Sequence, residues 1–163
     1  MKLYLDTNII IGWFKKRIQS KRNDREFKTP AVIGFLTSRE DIELIVSNLT
    51  KTEVYRYLKS DWESPEEYSR EIWDIFIKSF KLEYVEVQIT PENINNLSKL
   101  CLKNHTKKNT LTNLLHLEVA KNYGFSFLTG EKDLKDRYEK HYGNILTYSE
   151  LRRMLSYPSS RQS

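Results

Sequence analysis

Short apolar segments with strand character alternate with longer segments of helical periodicity along almost the whole chain. The strand candidates cover residues 1–6, 42–46, 84–89, 125–129 and 144–147. Helical segments between them open at initiation signals such as Pro30, Ser64 and Thr90, and one over 111–123 ends at Gly124. Strands that alternate with helices form parallel sheets. The sequence therefore predicts an α/β domain around a central, mainly parallel sheet of four to five strands.

The length and composition of the chain suit a single folded domain. It has 163 residues, of which 39% are hydrophobic and 30% charged, a balance typical of globular proteins. No repeat or linker divides it, so we expect one domain over residues 1–156 and a flexible tail over 157–163. No apolar run reaches the roughly 18–20 residues that cross a bilayer, and the N-terminus lacks a secretory pattern. We therefore expect a cytoplasmic protein that does not enter a membrane.

Cysteine and histidine are too sparse to suggest a structural zinc site. Cys101 is the only cysteine, which excludes an intramolecular disulfide and a cysteine-based zinc site. The three histidines, His105, His116 and His141, do not show the clustered spacing of metal ligands. His116 in particular is more typical of a packed core histidine than of a ligand or a base.

Acidic and amide side chains follow the predicted strands where the ligand sites of parallel sheets form, beyond the carboxyl ends of the strands. Asp6 ends the first strand, Glu53 lies in the helix after the second, and Glu131 follows the fourth. Asn113 joins them if its helix opens towards the same edge. Each residue also has an ordinary alternative: Asp6 as a helix N-cap, and Glu53 as the last residue of a capping box that starts at Thr50.

Four segments together resemble the PIN-domain family of nucleases. They are Leu-Tyr-Leu-Asp-Thr-Asn at 3–8, Thr-Glu-Val at 52–54, Leu-Thr-Asn-Leu-Leu-His-Leu at 111–117 with Ala120 and Gly124 beyond it, and Phe-Leu-Thr-Gly-Glu-Lys-Asp-Leu at 127–134. Each segment alone is weak, but together they span nearly the whole chain in the family's order. The size is similar to that of VapC-like ribonuclease toxins and related archaeal and bacterial PIN proteins. The resemblance implies a three-layer α/β/α fold.

The resemblance also implies a metal-dependent endoribonuclease. In the family, three or four acids surround one or two Mg²⁺ or Mn²⁺ ions, and the site hydrolyses RNA phosphodiester bonds. Such hard cations take oxygen ligands, activate a water and offset the charge that builds on the phosphate. Without the cation the clustered acids repel one another. By position, the implied catalytic and metal-binding residues are Asp6, Glu53, Asn113 and Glu131.

Asn113 departs from the family pattern, because the third acidic position usually holds Asp. An amide offers a carbonyl oxygen to a metal, but it adds no charge and cannot act as a base. Natural degeneration, a tolerant remodelled site and a deliberate Asp-to-Asn inactivation all remain open. Asp133 is the reserve acid, since in an extended segment it would face the same side as Glu131. Glu118 lies about 140° around the helix from Asn113 and is a poor replacement.

Two other functions compete with the enzyme. The main alternative is a non-catalytic PIN-like module that binds RNA or a protein partner. A different α/β nuclease or phosphatase with the same metal chemistry is a third interpretation, although the lack of a glycine-rich loop argues against a P-loop enzyme. For partners, the resemblance implies RNA, an antitoxin protein if the chain is the toxin of a toxin–antitoxin pair, and a second copy in a homodimer.

The formal net charge of +5 is concentrated in residues 15–28, which hold seven basic residues against two acidic ones. A solvated mobile loop is one interpretation of this segment. Contact with RNA phosphates is the other, favoured because the segment follows Asp6 closely and could line one wall of an acidic cleft. Lys103, Lys107 and Lys108 would then form the other wall. The RNA-binding candidates are Lys15, Lys16, Arg17, Lys21, Arg22 and Arg25.

Overall fold

The computed structural model describes residues 1–103 and 110–156. The strands are β1 (Lys2–Leu5), β2 (Glu43–Ser47), β3 (Glu83–Val85), β4 (Ser126–Thr129) and β5 (Ile145–Thr147). The helices are α1 (Thr7–Arg22), α2 (Ala31–Thr37), α3 (Asn48–Ser60), α4 (Glu66–Ser79), α5 (Pro91–Lys103), α6 (Thr110–Tyr123), α7 (Lys132–Tyr138) and α8 (Tyr148–Ser156). None of these described helices combines the length and apolarity of a membrane span. The tail expected over 157–163, and Lys107 and Lys108, lie outside the described residues.

All five strands pair in parallel in the order β3-β2-β1-β4-β5. This confirms the predicted α/β class and the central parallel sheet. The chain starts at the middle strand, builds outwards through β2 and β3, and then returns to add β4 and β5 on the other side. The reversal makes a switch point between β1 and β4, where the connections leave towards opposite faces and a crevice opens beyond the carboxyl ends of the strands.

Alternating side chains of the strands divide the core into two layers. Leu3 and Leu5 face one layer, which α1, α2, α3, α4 and α8 complete with residues such as Trp13, Val54 and Leu151. Tyr4, between them, faces the other layer, which α5, α6 and α7 complete. The sheet is therefore covered on both faces, as parallel sheets require, and the expected three-layer α/β/α arrangement is confirmed.

The start of α3 differs from the sequence prediction. The capping box is formed by Ser47 and Thr50, whose side chains each accept the other's backbone N–H at 3.3 Å. The predicted box from Thr50 to Glu53 is therefore wrong, because the helix starts three residues earlier, directly from β2. This moves Glu53 into the second turn of α3 and leaves its carboxylate available for other contacts.

Two further elements differ from the sequence prediction. The third strand covers only Glu83–Val85 at the edge of the sheet, not the whole of 84–89. Helix α7 was not predicted, because its seven residues are mostly charged and only Leu134 and Tyr138 are buried. That spacing of four residues is too short a periodic signal to separate from a loop.

A second buried carboxylate, Glu118, ties α6 to its surroundings. Its side chain is fully buried and accepts hydrogen bonds from Nε2 of His141 and, at 3.3 Å, from Nδ2 of Asn96. Asn96 belongs to α5, and His141 precedes β5. The carboxylate therefore joins three separate parts of one layer, about 140° around α6 from Asn113.

We expect His141→Leu to destabilise the fold by roughly 3 kcal/mol, because it leaves the Glu118 carboxylate buried without its main donor. Urea unfolding followed by circular dichroism measures the change. The double variant Glu118→Leu/His141→Leu is the control and should recover most of the lost stability. If His141→Leu has the same free energy of unfolding as the double variant, the unpaired Glu118 carboxylate does not destabilise the fold.

Candidate active site

Asp6 is buried at the carboxyl end of the central strand. Its side chain is 1% exposed, and its backbone N–H donates to the carbonyl oxygen of Leu128 on β4 at 2.9 Å. Oδ2 accepts the hydroxyl of Thr129 at 2.7 Å. Asp6 is also the N-cap of α1, since its side chain accepts the backbone N–H of Asn8 at 3.4 Å. One residue thus serves both as helix cap and as a carboxylate at the switch point.

The buried position makes the charge of Asp6 costly. The pKa of its carboxyl is raised to about 6, chiefly by burial and to a smaller extent by the charge of Glu131, while His116 and the hydrogen bond from Thr129 act in the opposite direction. A cation placed beside Asp6 would relieve this cost. The ionised form of Asp6 is therefore unfavourable without a cation and becomes favourable when a positive charge binds beside it.

Asn8 bridges the two carboxylates at the switch point. Its Nδ2 donates to Asp6 Oδ2 at 2.7 Å and reaches Glu131 Oε1 at 3.4 Å. Its Oδ1 accepts the backbone N–H of Gly130 at 2.8 Å, and a Cβ atom at Gly130 would approach that oxygen to 3.2 Å. A larger residue at this position would therefore have to displace the Asn8 side chain by a few tenths of an ångström. From the sequence, Asn8 was a candidate for positioning the acids or a phosphate, with local capping as the equal alternative, and its bonds to both carboxylates place it among them.

Asn113 and Glu131 face each other across the same edge. Nδ2 of Asn113 donates to Oε2 of Glu131 at 3.1 Å. Glu131 is exposed at the N-cap of α7, and Thr129 Oγ1 accepts its backbone N–H at 3.0 Å. Asp133 lies in the first turn of α7, so the extended segment that would have aligned it with Glu131 does not exist. The structure thus brings Asn113 into the site as a donor to a carboxylate.

Glu53 reaches the site from α3. The Thr7 hydroxyl and Nε2 of His116, the latter at 2.8 Å, both donate to its Oε2. Burial alone would raise the pKa of this carboxyl, but the hydrogen bond and charge of His116 and the hydrogen bond from Thr7 outweigh burial and hold it below its ordinary value. Both carboxylates accept hydrogen bonds, but the pKa of Glu53 is lowered while that of Asp6 is raised, so Glu53 is the one that stays ionised.

His116 is the site residue that the sequence did not assign. It lies one turn beyond Asn113 on α6, and its side chain is fully buried. The sequence predicted a packed core histidine, and the side chain does stack against Phe127, with ring centroids 6.5 Å apart. Its bond to Glu53 could be foreseen only from the spacing of three residues that places Asn113 and His116 on one helix face.

The basic candidates lie apart from these carboxylates. Lys15 is about 12 Å along the axis of α1 from the start of that helix, and the later ones are further away. Arg22 donates to the carbonyl oxygen of Trp62, and the Lys21 ammonium lies 3.6 Å from the centre of the Tyr68 ring. The helix therefore carries the basic segment away from the carboxylates instead of along them.

A groove of about 550 Å³ opens directly beside Asn8 and Gly130. Ile9 contributes an apolar part of its lining, and Lys132 and Arg153 contribute exposed positive charge. The groove therefore combines contact with the carboxylate cluster and cationic side chains, a combination that the segment 15–28 lacks.

The side chains at the switch point offer carboxylate and amide oxygen atoms as possible metal ligands. Within residues 1–103 and 110–156, no three histidine, cysteine or acidic side chains converge closely enough to form a ready-made metal cage. Asp6 and Glu131 are nevertheless joined through Asn8. Two carboxylates suit Mg²⁺ or Mn²⁺, which retain several waters and need few protein ligands. The chemistry of the donors therefore fits such a cation.

We expect Asp6→Asn to stabilise the metal-free protein at neutral pH. The folded pKa of about 6 exceeds the ordinary value of 3.8, so the folded state keeps a proton that the unfolded state releases. The stability linked to this proton is present below about pH 4 and is lost as the pH rises through about 6. Because Asn also caps helices, we expect a gain of about 1–3 kcal/mol at pH 7.5 and little at pH 4.

Urea unfolding in EDTA at both pH values measures this difference. Asp133→Asn is the matched control, because it removes an exposed acid two residues from Glu131 and should show no comparable pH dependence. An Asp6→Asn protein that is no more stable than the parent at pH 7.5 would contradict the expected burden of the buried charge.

Known protein families and structures resemble this chain over most of its length. The family model for the PIN domain matches residues 3–140. No curated protein sequence matches the chain. Among solved structures, the chain is similar to one in VapBC2 from Rickettsia felis bound to a promoter DNA fragment, with 18% identity, a TM-score of 0.55, and coverage of 90% of this chain and 97% of that one. It is also similar to one in VapBC-1 from nontypeable Haemophilus influenzae, with 17% identity, a TM-score of 0.56, and coverage of 91% and 99%.

The two structural likenesses show the same fold, and the family model covers both strands that flank the switch point. It also includes all four residues that the sequence placed at the site. The chain belongs to the PIN-domain family.

Proposed function

We propose that this protein is a divalent-metal-dependent endoribonuclease that hydrolyses RNA phosphodiester bonds. PIN-domain proteins are generally nucleases, and the observation that carries the proposal is the buried Asp6 carboxylate joined through Asn8 to Glu131. A carboxylate whose pKa is raised to about 6 by burial gains most from a bound cation. The switch point of a parallel sheet is also where ligands of such folds bind.

In this proposal each residue has a separate role. Asp6 and Glu131 would hold Mg²⁺ or Mn²⁺, Asn113 would turn its amide to offer its oxygen, and Glu53 would complete the ligand set directly or through water. The cation would supply an activated water and offset the charge that develops on the phosphate. Asn8 donates to both carboxylates and Thr129 donates to Asp6, so neutral donors hold the two carboxylates in place.

A specific observation supports a second candidate, a non-catalytic PIN-like module that binds RNA or a protein. Asn113 donates its amide N–H to Glu131. An acid at position 113 would instead repel the Glu131 carboxylate unless a cation bound between them. With one negative charge fewer, the site needs metal less than a site of four carboxylates would. The module would retain the fold and the groove while lacking turnover.

We further propose that RNA enters through the groove beside Asn8 and Gly130. Lys132 and Arg153 would contact phosphates next to the scissile bond. The segment 15–28 would act as a more distant contact, because α1 places it at least two helical turns from the carboxylates. Such an outer contact would raise the affinity for RNA without taking part in positioning the reacting phosphate.

The two similar structures are VapBC proteins, which supports an antitoxin partner for this chain. We propose that this chain is the toxin of a toxin–antitoxin pair in the cytoplasm, that an antitoxin protein binds it, and that it forms a homodimer. Each of these proposals is independent of the metal chemistry, because binding of an antitoxin or a second copy would occur with or without turnover.

We expect the protein to cleave single-stranded RNA slowly with Mn²⁺, and Asn113→Asp to increase the rate by about tenfold or more, since it restores a charged ligand. Asp6→Asn should abolish cleavage in both backgrounds. The measurement is the rate of product formation from a fluorescent RNA with and without EDTA, and Asp133→Asn is the control. RNA binding without cleavage by both the parent and Asn113→Asp would contradict the enzyme and support the binding module.

We expect charge reversal in the groove and in the basic segment to act differently. Lys132→Glu/Arg153→Glu should lower both RNA affinity and the cleavage rate, because it disturbs phosphates near the reacting bond. Lys15→Glu/Lys16→Glu should lower affinity alone. RNA titrations at several salt concentrations test this, since each lost phosphate contact reduces the slope of log affinity against log salt by about one. An unchanged slope in either variant would exclude that surface from RNA contact.

A further inference from the structure

His116 is fully buried on α6 and bonds through both ring nitrogens. Nε2 lies 2.8 Å from Oε2 of Glu53, and Nδ1 lies 2.8 Å from the hydroxyl of Tyr4. An ionised carboxylate only accepts hydrogen bonds, so Nε2 is the donor. Because the ring is shielded from solvent, water does not compete for either bond, and the imidazole has one orientation that satisfies both.

The bond to Tyr4 continues to the first residue of the α3 cap. The Tyr4 hydroxyl lies 2.6 Å from Oγ of Ser47, and burial raises the pKa of Tyr4 to about 12, so the hydroxyl keeps its proton. Oγ of Ser47 in turn accepts the backbone N–H of Thr50 at 3.3 Å. Ser47 is the N-cap of α3, the helix that also carries Glu53. The bonds therefore form a closed circuit that leaves α3 and returns to it.

The two donors leave one oxygen of Glu53 available. Thr7 and His116 both contact Oε2, whereas among the described residues no hydrogen bond reaches Oε1. A glutamate side chain on a helix surface would otherwise sample several rotamers, and fixing it costs entropy. His116 and Thr7 have already selected one rotamer, with Oε2 held and Oε1 free to face a cation or a water.

We propose that His116 is a positioning residue that holds Glu53 in the candidate active site, anchored through Tyr4 and Ser47. The effect on activity rests on the proposed metal-dependent function, but the hydrogen-bonded circuit does not. His116 itself does not touch the substrate or a cation. Its contribution is to set the position of the Glu53 carboxylate before either binds.

Three variants test the proposal. His116→Leu removes both bonds but keeps an apolar side chain, His116→Gln retains an N–H donor within reach of Glu53, and Tyr4→Phe removes only the far bond. Residues that orient metal ligands typically contribute 10–100-fold to affinity or activity, so we expect His116→Leu to weaken Mn²⁺ binding and lower kcat by about that factor. KM for RNA should change little, and His116→Gln should recover a substantial part of both losses.

Glu118→Gln is the matched control, since it alters another buried polar group on α6 outside the circuit. It should reduce stability while leaving Mn²⁺ affinity, measured by calorimetry, unchanged. If His116→Leu stays folded with Mn²⁺ affinity and kcat within about twofold of the parent, the proposal is wrong. Equal losses in His116→Leu and His116→Gln would also overturn it, because a donated hydrogen bond would then not be the cause.

A measurement that needs neither metal nor RNA separates this proposal from the proposed function. The ¹⁵N resonances of the His116 imidazole report its hydrogen bonds directly. Glu53→Gln should shift the Nε2 resonance, and Tyr4→Phe should shift Nδ1. If neither moves, the circuit is absent and the positioning role fails. If both move in a protein that neither binds Mn²⁺ nor cleaves RNA, the circuit stands and only the metal-dependent function fails.

Discussion

Burial of the Asp6 carboxylate between β1 and β4 is unfavourable unless polar groups or a cation meet its charge, and the neighbouring side chains are arranged around that requirement. Thr129 and Asn8 supply neutral donors, and Asn8 extends the connection to Glu131. The parallel order of the strands is what brings these residues together. Because β1 is central and β4 is added on the side opposite β2, the end of β1 borders the point at which the order of the described strands reverses.

The sequence was informative where local order determines geometry. Parallel strands present their carboxyl ends at one edge, so acids placed after strands one and four could be expected to meet, and Asp6 and Glu131 do. Asn113 could be placed because it starts a helix that returns to the same edge. Asp6 caps α1 from the carboxyl end of β1, so the N-cap interpretation is confirmed and is compatible with the metal-ligand interpretation, which stays a prediction.

The remaining features depend on tertiary contacts that no local pattern contains. Glu53 resembled the last residue of a capping box because Thr50 precedes it by three residues. In the structure Ser47, at the end of β2, is the N-cap, and Thr50 is the last residue of the box. His116 resembled a core histidine because its partner lies 63 residues away in the chain. The segment 15–28 was expected beside the site because it is close to Asp6 in sequence. It lies further away because α1 is continuous to Arg22 and advances about 1.5 Å along its axis with each residue.

The circuit through His116 has a consequence for how the molecule opens. The sheet separates two hydrophobic layers, and Glu53 belongs to a helix of one while His116 and Asn113 belong to a helix of the other. The hydrogen bond between His116 and Glu53 therefore connects helices that lie on opposite faces of the sheet. Detachment of α6 alone would therefore separate His116 and Asn113 from Glu53 and Glu131, so that the carboxylate cluster can come apart by local opening without global unfolding.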